Sequence, residues 1–317
     1  MAEAVFSRAS AVAARVRSPG IWVILALLVA LFSVVSPRFL SQANITNIAL
    51  QSSILLMLAL PMTLIILTEG LDLSMGALMA LGSMAVALLS AAGYPLLVAL
   101  CGGIAVGTLG GIVNGVLIAR LDIPPFIATI GTLGVFQGLA VVLTDGQSVV
   151  DISESIPDFF LASVFDIPAP VILSAAAYAV FHYLLYRTRF GVSVVALGGN
   201  RDAWNLAGGN VQRQLLAVYA LGGFMVGVAS FMFTARMSAG HPTASLGMEF
   251  DAIAAVALGG TSFDKGNGWL FGTVLGVVAI GILRNGLNLL GFPSSIQVVS
   301  IGLLVLLALF IDGVRTK

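Results

Sequence analysis

Apolar residues fall along this chain in long runs separated by short polar breaks. A helix crosses the hydrocarbon core of a bilayer with about 20 apolar residues. Ten stretches fit that measure. In the first part they are Ile21–Val35, Asn47–Leu67, Leu73–Ala92, Tyr94–Ala119 and Pro124–Leu143. In the second they are Val171–Tyr186, Leu215–Ala235, Thr243–Phe263, Trp269–Leu290 and Ile296–Ile311. The eighth is interrupted by Glu249 and Asp251. The pattern predicts an all-α polytopic membrane protein of about ten transmembrane helices.

One polar segment stands out between the runs: "GGNRDAWNLAGGN", Gly198 to Asn210. Asn200 is a good helix N-cap. Arg201–Ala207 is long enough for two turns, and Gly208 and Gly209 supply the left-handed residue that ends helices. Ala203, Leu206 and Ala207 share one face, with Trp204 beside it. Such a helix either lies at the headgroup level, where Trp is common, or plugs a groove on a cytoplasmic partner. The residues alone leave both readings open.

Composition agrees with the bilayer reading. Of 317 residues, 59% are hydrophobic and 9% charged, against about 25% charged in soluble domains. The net charge is zero, so no basic face points to nucleic acid. The single cysteine, Cys101, excludes an intrachain disulfide and reads as a small buried hydrophobe. Arg8, Arg15 and Arg17 before an apolar run resemble a signal peptide. With no cleavage site and many later spans, they read as a tail (residues 1–20) before an uncleaved first helix.

Basic residues gather on the cytoplasmic side of membrane proteins. With the N-terminus inside, 11 of the 14 basic residues fall in inner segments: Arg8, Arg15, Arg17, Arg120, Arg187, Arg189, Arg201, Arg213, Lys265, Arg315 and Lys317. Arg38 and Arg236 fall outside, and Arg284 within a span, from which it can snorkel to the outer surface. Residues 144–168 carry five acids and no Lys or Arg. Both termini and the polar segment are therefore expected in the cytoplasm.

The two parts also resemble each other. Asn114-Gly115 and Asn285-Gly286 lie 171 residues apart, each followed by an apolar stretch, a proline and another span. "EGLD" at Glu69–Asp72 and "EFD" at Glu249–Asp251 are about 180 apart. These matches predict one permease-like domain, residues 21–317. Its halves, about 21–168 and 171–312, have five spans each. An odd number of spans inverts the second half, a recurring transporter plan. Glycines four apart, at 103, 107, 111 and 115 and again at 268, 272 and 276, let helix backbones approach closely. Packing within the chain is the expected use.

Ionisable groups inside a membrane usually face a cavity or a partner. Glu69, Asp72, Glu249 and Asp251 sit beside Gly or Ser, where broken or short helices are expected. They either line a solute path or hinge, or cap helix N-termini, where negative charge is favoured. Asn114 marks the repeated Asn-Gly pair. Asn285 and Asn288 share a helix face, and they and Gln297 either line a pathway or bond across helices. His182 and His241 lack metal-ligand spacing. The chain has no G-x-x-x-x-G-K-[ST] phosphate loop, so an ATP-driven cycle would need a separate ATPase. No recognisable catalytic constellation speaks for an enzyme.

Longer stretches carry a family resemblance. "ILTEGLDLSMGALMAL", "LGGNRDAWNLAGGNV", "PTASLGMEFDAIAAVALGGTSFDKGNGWLFGTVLG" and "NGLNLLGFPSSIQ" resemble the membrane permeases of bacterial ABC sugar importers of the ribose, xylose and arabinose type. The likeness runs from about Ser36 onward. It implies a translocation subunit in the bacterial inner membrane, working by alternating access on a pentose-like sugar. It also implies three partners: a second like or related permease, an ATPase of two nucleotide-binding halves that holds ATP and Mg, and a periplasmic sugar-binding protein. The coupling loop would be residues 187–213, with Asn200, Arg201, Asp202, Ala203, Trp204, Asn205, Leu206 and Gly208 docking on the ATPase. Trp204, Asn205 and Gly209 depart from the usual loop, as does "DKGNG", which leaves Asp264 and Lys265 as further contacts. A transporter driven by an ion gradient, without an ATPase, is the competing reading.

Overall fold

A computed structural model of the chain describes residues 19–262 and 266–315. Apart from a two-stranded hairpin (β1, Ser163–Val164; β2, Ile167–Pro168), the described elements are helices. In chain order they are α1 (Pro19–Val35), α2 (Gln42–Leu67), α3 (Met75–Ala91), α4 (Leu96–Ala119), α5 (Pro125–Val142), α6 (Ser155–Leu161) and α7 (Ala169–Arg187). Then follow α8 (Arg189–Gly199), α9 (Arg201–Leu206), α10 (Val211–Met237), α11 (Met248–Leu258), α12 (Leu270–Leu289) and α13 (Ser294–Arg315).

Local signals set many of the boundaries. Ser41 caps α2, its hydroxyl accepting from the Asn44 N–H at 3.4 Å. Asn210 caps α10 through the Arg213 N–H at 2.8 Å. Prolines open α5 and α7, where the missing N–H is harmless and the fixed φ suits a first turn. Among the described residues six helices, α2, α4, α5, α7, α10 and α12, are long and apolar enough to cross a membrane. α1 and α3 have 17 residues each and similar character.

The expected eighth span is corrected. α11 has only 11 residues, about 16 Å of helix at 1.5 Å per residue, too short to cross. The preceding residues from Ser238 to Gly247 do not continue a helix. The breaks foreseen near Glu69–Asp72 and Glu249–Asp251 are present: α2 stops at Leu67 before α3 starts at Met75, and α10 stops at Met237 before α11 starts at Met248.

α2 forms the centre of the bundle. Every residue from Ser52 to Leu67 is buried, against α7, α10, α11 and α12. α3 packs on α4 and α5, as α11 packs on α12 and α13. The first five helices meet the later ones mainly through α10, which lies against α2, α3 and most extensively α4, and through α12, which lies against α2. In the α4–α10 contact, Gly107 and Gly111 lie against Gly223 and Gly227, so a Cβ on Gly111 would come within 2.8 Å of the Gly223 backbone. Gly272 and Gly276 of α12 meet Gly259 and Ala255 at the end of α11. Both glycine rows thus serve packing within the chain. Small residues permit such approach, and van der Waals contact replaces the hydrophobic drive that lipid removes.

At one end of the bundle, α8 and α9 form a short helical arm. At the other, α6 and the hairpin sit in the acidic segment, which pairs with the α10–α11 connection through Val149 and Gly240 (N···O 2.9 and 2.8 Å).

Candidate functional site

Two constellations use most of the residues singled out in the sequence. The first is the small helix α9. Its cap forms as expected: the Asn200 side-chain oxygen accepts from the Ala203 N–H at 2.8 Å. Gly208 follows with φ +84°, a conformation that costs glycine no steric strain. Arg201, Asp202, Ala203, Asn205 and Leu206 are exposed, Leu206 at 89%. Trp204 is turned the other way, packed over Gly209 so closely that no Cβ would fit there. A cleft of about 450 Å³ runs beside α9, lined by Asp122, Arg201, Asp202, Asn205 and Gln212. The segment around α9, expected as a loop from 187 to 213, is mostly helical. α8 is capped by Thr188, whose hydroxyl accepts from the Gly191 N–H at 3.4 Å. Asp264 and Lys265 lie outside the described residues.

The second constellation is where the two helix breaks meet. Asp72 is buried and fully engaged. One carboxylate oxygen accepts from the Ser74 N–H at 2.9 Å and hydroxyl at 2.6 Å, the other from the Asn114 amide at 3.3 Å. Asn114 also donates to the Ser74 hydroxyl at 2.8 Å and accepts from Thr132 at 2.7 Å. The Tyr219 hydroxyl reaches the Leu71 carbonyl at 3.3 Å. This network pins the first break to α4, α5 and α10. Asp72 therefore lies two residues before the cap position of α3, Ser74, held by an Asx turn rather than capping the first helical N–H groups.

From the second break, the Ser245 hydroxyl donates to the Gly76 carbonyl at 2.8 Å. Glu249 is buried against Gly76, and its carboxylate accepts from the Gly247 N–H at 3.0 Å. Asp251 takes a charged partner, Arg284 of α12, at 2.5 Å. Arg284 thus turns inward, correcting the expectation that it snorkels: a carboxylate facing it offers more than headgroup water. Both residues line a cavity of about 910 Å³ between α2 and α10–α13, which Gln51, Ser52, Arg236 and Ser294 also border amid apolar side chains.

The remaining candidates separate. Glu69 is exposed, with φ +59° just past the end of α2, and joins neither network. Asn285 is buried and donates to Asn44 at 3.0 Å, fastening α12 to the start of α2. Asn288 is exposed. Gln297 bonds back to the Phe292 carbonyl at 3.1 Å, bracing the turn before α13. Cys101 is exposed on α4, not buried. His182 stands between Tyr178 and Tyr186 on the surface of α7. Ser74, Thr132, Tyr219 and Ser245 were not foreseen. Only Ser74 left a local trace, standing two residues after an aspartate, the Asx-turn spacing.

Comparison with known proteins bears on both constellations. Residues 44–309 match the family described as branched-chain amino acid transport system / permease component. The D-allose transport system permease protein AlsC of Escherichia coli K12 is 40% identical over 300 residues, covering 94% of this chain and 92% of its own. The ribose import permease protein RbsC of Bacillus subtilis 168 is 39% identical over 288 residues (90% and 89%). The L-arabinose ABC transporter permease protein AraH of Azospirillum brasilense is 33% identical over 296 residues (93% and 87%). No solved structure matches the chain. The matches span both helix breaks and α9, and the chain belongs to the family of branched-chain amino acid transport system permease components, in the branch that holds the sugar permeases of the ribose and arabinose type.

Proposed function

We propose that this chain is the translocation subunit of an ATP-driven importer carrying a monosaccharide across the bacterial inner membrane by alternating access. The single observation that carries the mechanism is α9. It is capped at one end by Asn200 and closed at the other by Gly208, and it holds Leu206 out with nothing over it. A short apolar knob of this kind fits a groove on a partner. The partner is an ATPase of two nucleotide-binding halves that holds the ATP and Mg, since the chain has no phosphate loop of its own. A second copy of the chain or a related permease completes the membrane unit, and a periplasmic binding protein delivers the sugar. The names of the relatives cover a hexose and two pentoses, so the substrate is a small neutral sugar, a pentose first.

In this reading both termini and α9 face the cytoplasm. The halves are inverted copies, supported by the corresponding packing of α3 on α4 and α5 and of α11 on α12 and α13. Asp72, Asn114, Glu249 and Asp251 hold the hinge where the two breaks meet. The cavity beside Asp251 and Arg284 lies on the sugar's route, where convergent polar groups in an apolar wall suit a hydroxyl-rich solute held weakly. ATP shifts the balance of facing states only by binding one of them better.

The test places Glu at Leu206. The folded variant is expected to lose the ATPase on purification and to lose ATP-dependent uptake in liposomes containing all subunits. Full uptake would refute the docking role. Gradient-driven uptake by the chain alone would instead establish the competing transporter.

A further inference from the structure

Resting on the importer reading, we propose that Gly198 is the positioning residue through which movement of α9 is delivered to both halves of the permease at once. Asn200 is the elbow. Its N–H donates to the Ala196 carbonyl, ending α8, while its side chain caps α9. No flexible linker separates the two helices, so a push on α9 turns α8.

The last turn of α8 is wedged between two other backbones. Gly198 is buried, and a Cβ there would overlap the Leu67 carbonyl oxygen at the end of α2 and lie 3.1 Å from the Gly266 Cα. Gly266 returns the contact: its own Cβ would meet the Val195 carbonyl at 2.8 Å and the Gly198 carbonyl carbon at 3.0 Å. Side chains absorb displacement by changing rotamer, but backbones in direct contact transmit it, as close-packed interiors do.

Each backbone leads to a helix break or its neighbour. Leu67 is the last residue of α2, and five residues on is the buried Asp72 network. Beyond Gly266, Trp269 donates to the Gly259 carbonyl at the end of α11 (2.7 Å), and the Leu270 N–H donates to the Tyr186 hydroxyl of α7 (3.2 Å). One glycine thus touches the end of α2 and the α11–α12 connection together. Its neighbour Gly199 faces open space, with nothing within 4 Å of a Cβ.

The experiment compares Gly198→Ala with Gly199→Ala in liposomes holding permease, ATPase and binding protein. Gly198→Ala is expected to keep the ATPase bound but lose uptake at least about tenfold, with hydrolysis no longer stimulated by sugar-loaded binding protein; Gly199→Ala stays within about twofold of the parent. Parental uptake by Gly198→Ala, or an equal loss in both variants, would overturn the proposal. Where Gly198→Ala does not assemble, amide exchange in the unmodified complex decides. A non-hydrolysable ATP analogue is expected to change exchange in residues 67–70 and 267–270 together, and no change in either segment would overturn it. Failure of the unmodified chain to bind any ATPase would remove the importer reading itself, a result separate from uncoupled behaviour in an intact complex.

Discussion

α9 and the junction of the two helix breaks are built on opposite terms. α9 owes its shape to residues within about ten positions of one another: a cap, one turn and a half, and a left-handed glycine. The junction is made by residues far apart along the chain. Asp72 meets Asn114 across 42 positions, Asp251 meets Arg284 across 33, and Ser245 reaches Gly76 across 169. The first region is bounded by its own neighbours in sequence and presents Leu206 outward. The second exists only when the bundle is assembled, and almost every polar atom in it is taken. One is fit for meeting another protein; the other is fit for holding a set of helices in one arrangement.

That contrast is open to substitution, beginning inside. Asn114→Leu keeps the volume but leaves one Asp72 oxygen and the Ser74 hydroxyl without their amide donor. Because a buried carboxyl oxygen and a buried hydroxyl each lose a donor, the expected loss is about 2–3 kcal/mol, seen as a lower midpoint of thermal unfolding of the purified chain in detergent. An unchanged midpoint would show that the junction is not what holds the breaks. Arg284→Met strands Asp251 at the cavity wall. The Arg284 side chain is 37% exposed, so the expected cost drops to about 1–2 kcal/mol, below the 3–5 of a fully buried pair. The same unfolding measurement should rank it second. Leu206→Asp removes no internal contact and should shift stability by less than about 0.5 kcal/mol, while abolishing capture of the ATPase. If it unfolds the chain instead, α9 is part of the packed body and the contrast fails.

The same division explains what could be read from the residues. Asn200 and Gly208 act on their own neighbours, so the small helix was legible to within one residue. Most of the apolar runs became helices close to where they were expected. The run from Thr243 to Phe263 did not. Hydropathy alone cannot tell a helix that crosses from one that starts midway after a turned segment, and Ser238 to Gly247 is such a segment. Arg284 was misread for a related reason. In water an apolar stripe tells which face turns inward, but lipid accepts apolar residues on every face, so the phase of α12 was hidden and with it the partner of Arg284. Thr63 and Thr273, bonded at 2.7 Å between α2 and α12, and Ser83 and Thr234, bonded at 2.8 Å between α3 and α10, were invisible for the same cause. The glycine rows were legible because close approach has few other uses for residues four apart.

The seam between α4 and α10 has a consequence for how this chain can change shape. With bare backbone against bare backbone at Gly107, Gly111, Gly223 and Gly227, there is no upholstery along which the pair could slide. Parting them would expose peptide groups to oil. In the proposed alternating-access cycle the pair would act as a keel, common to the early and late portions of the molecule, with bending left to the unwound stretches on either side of it.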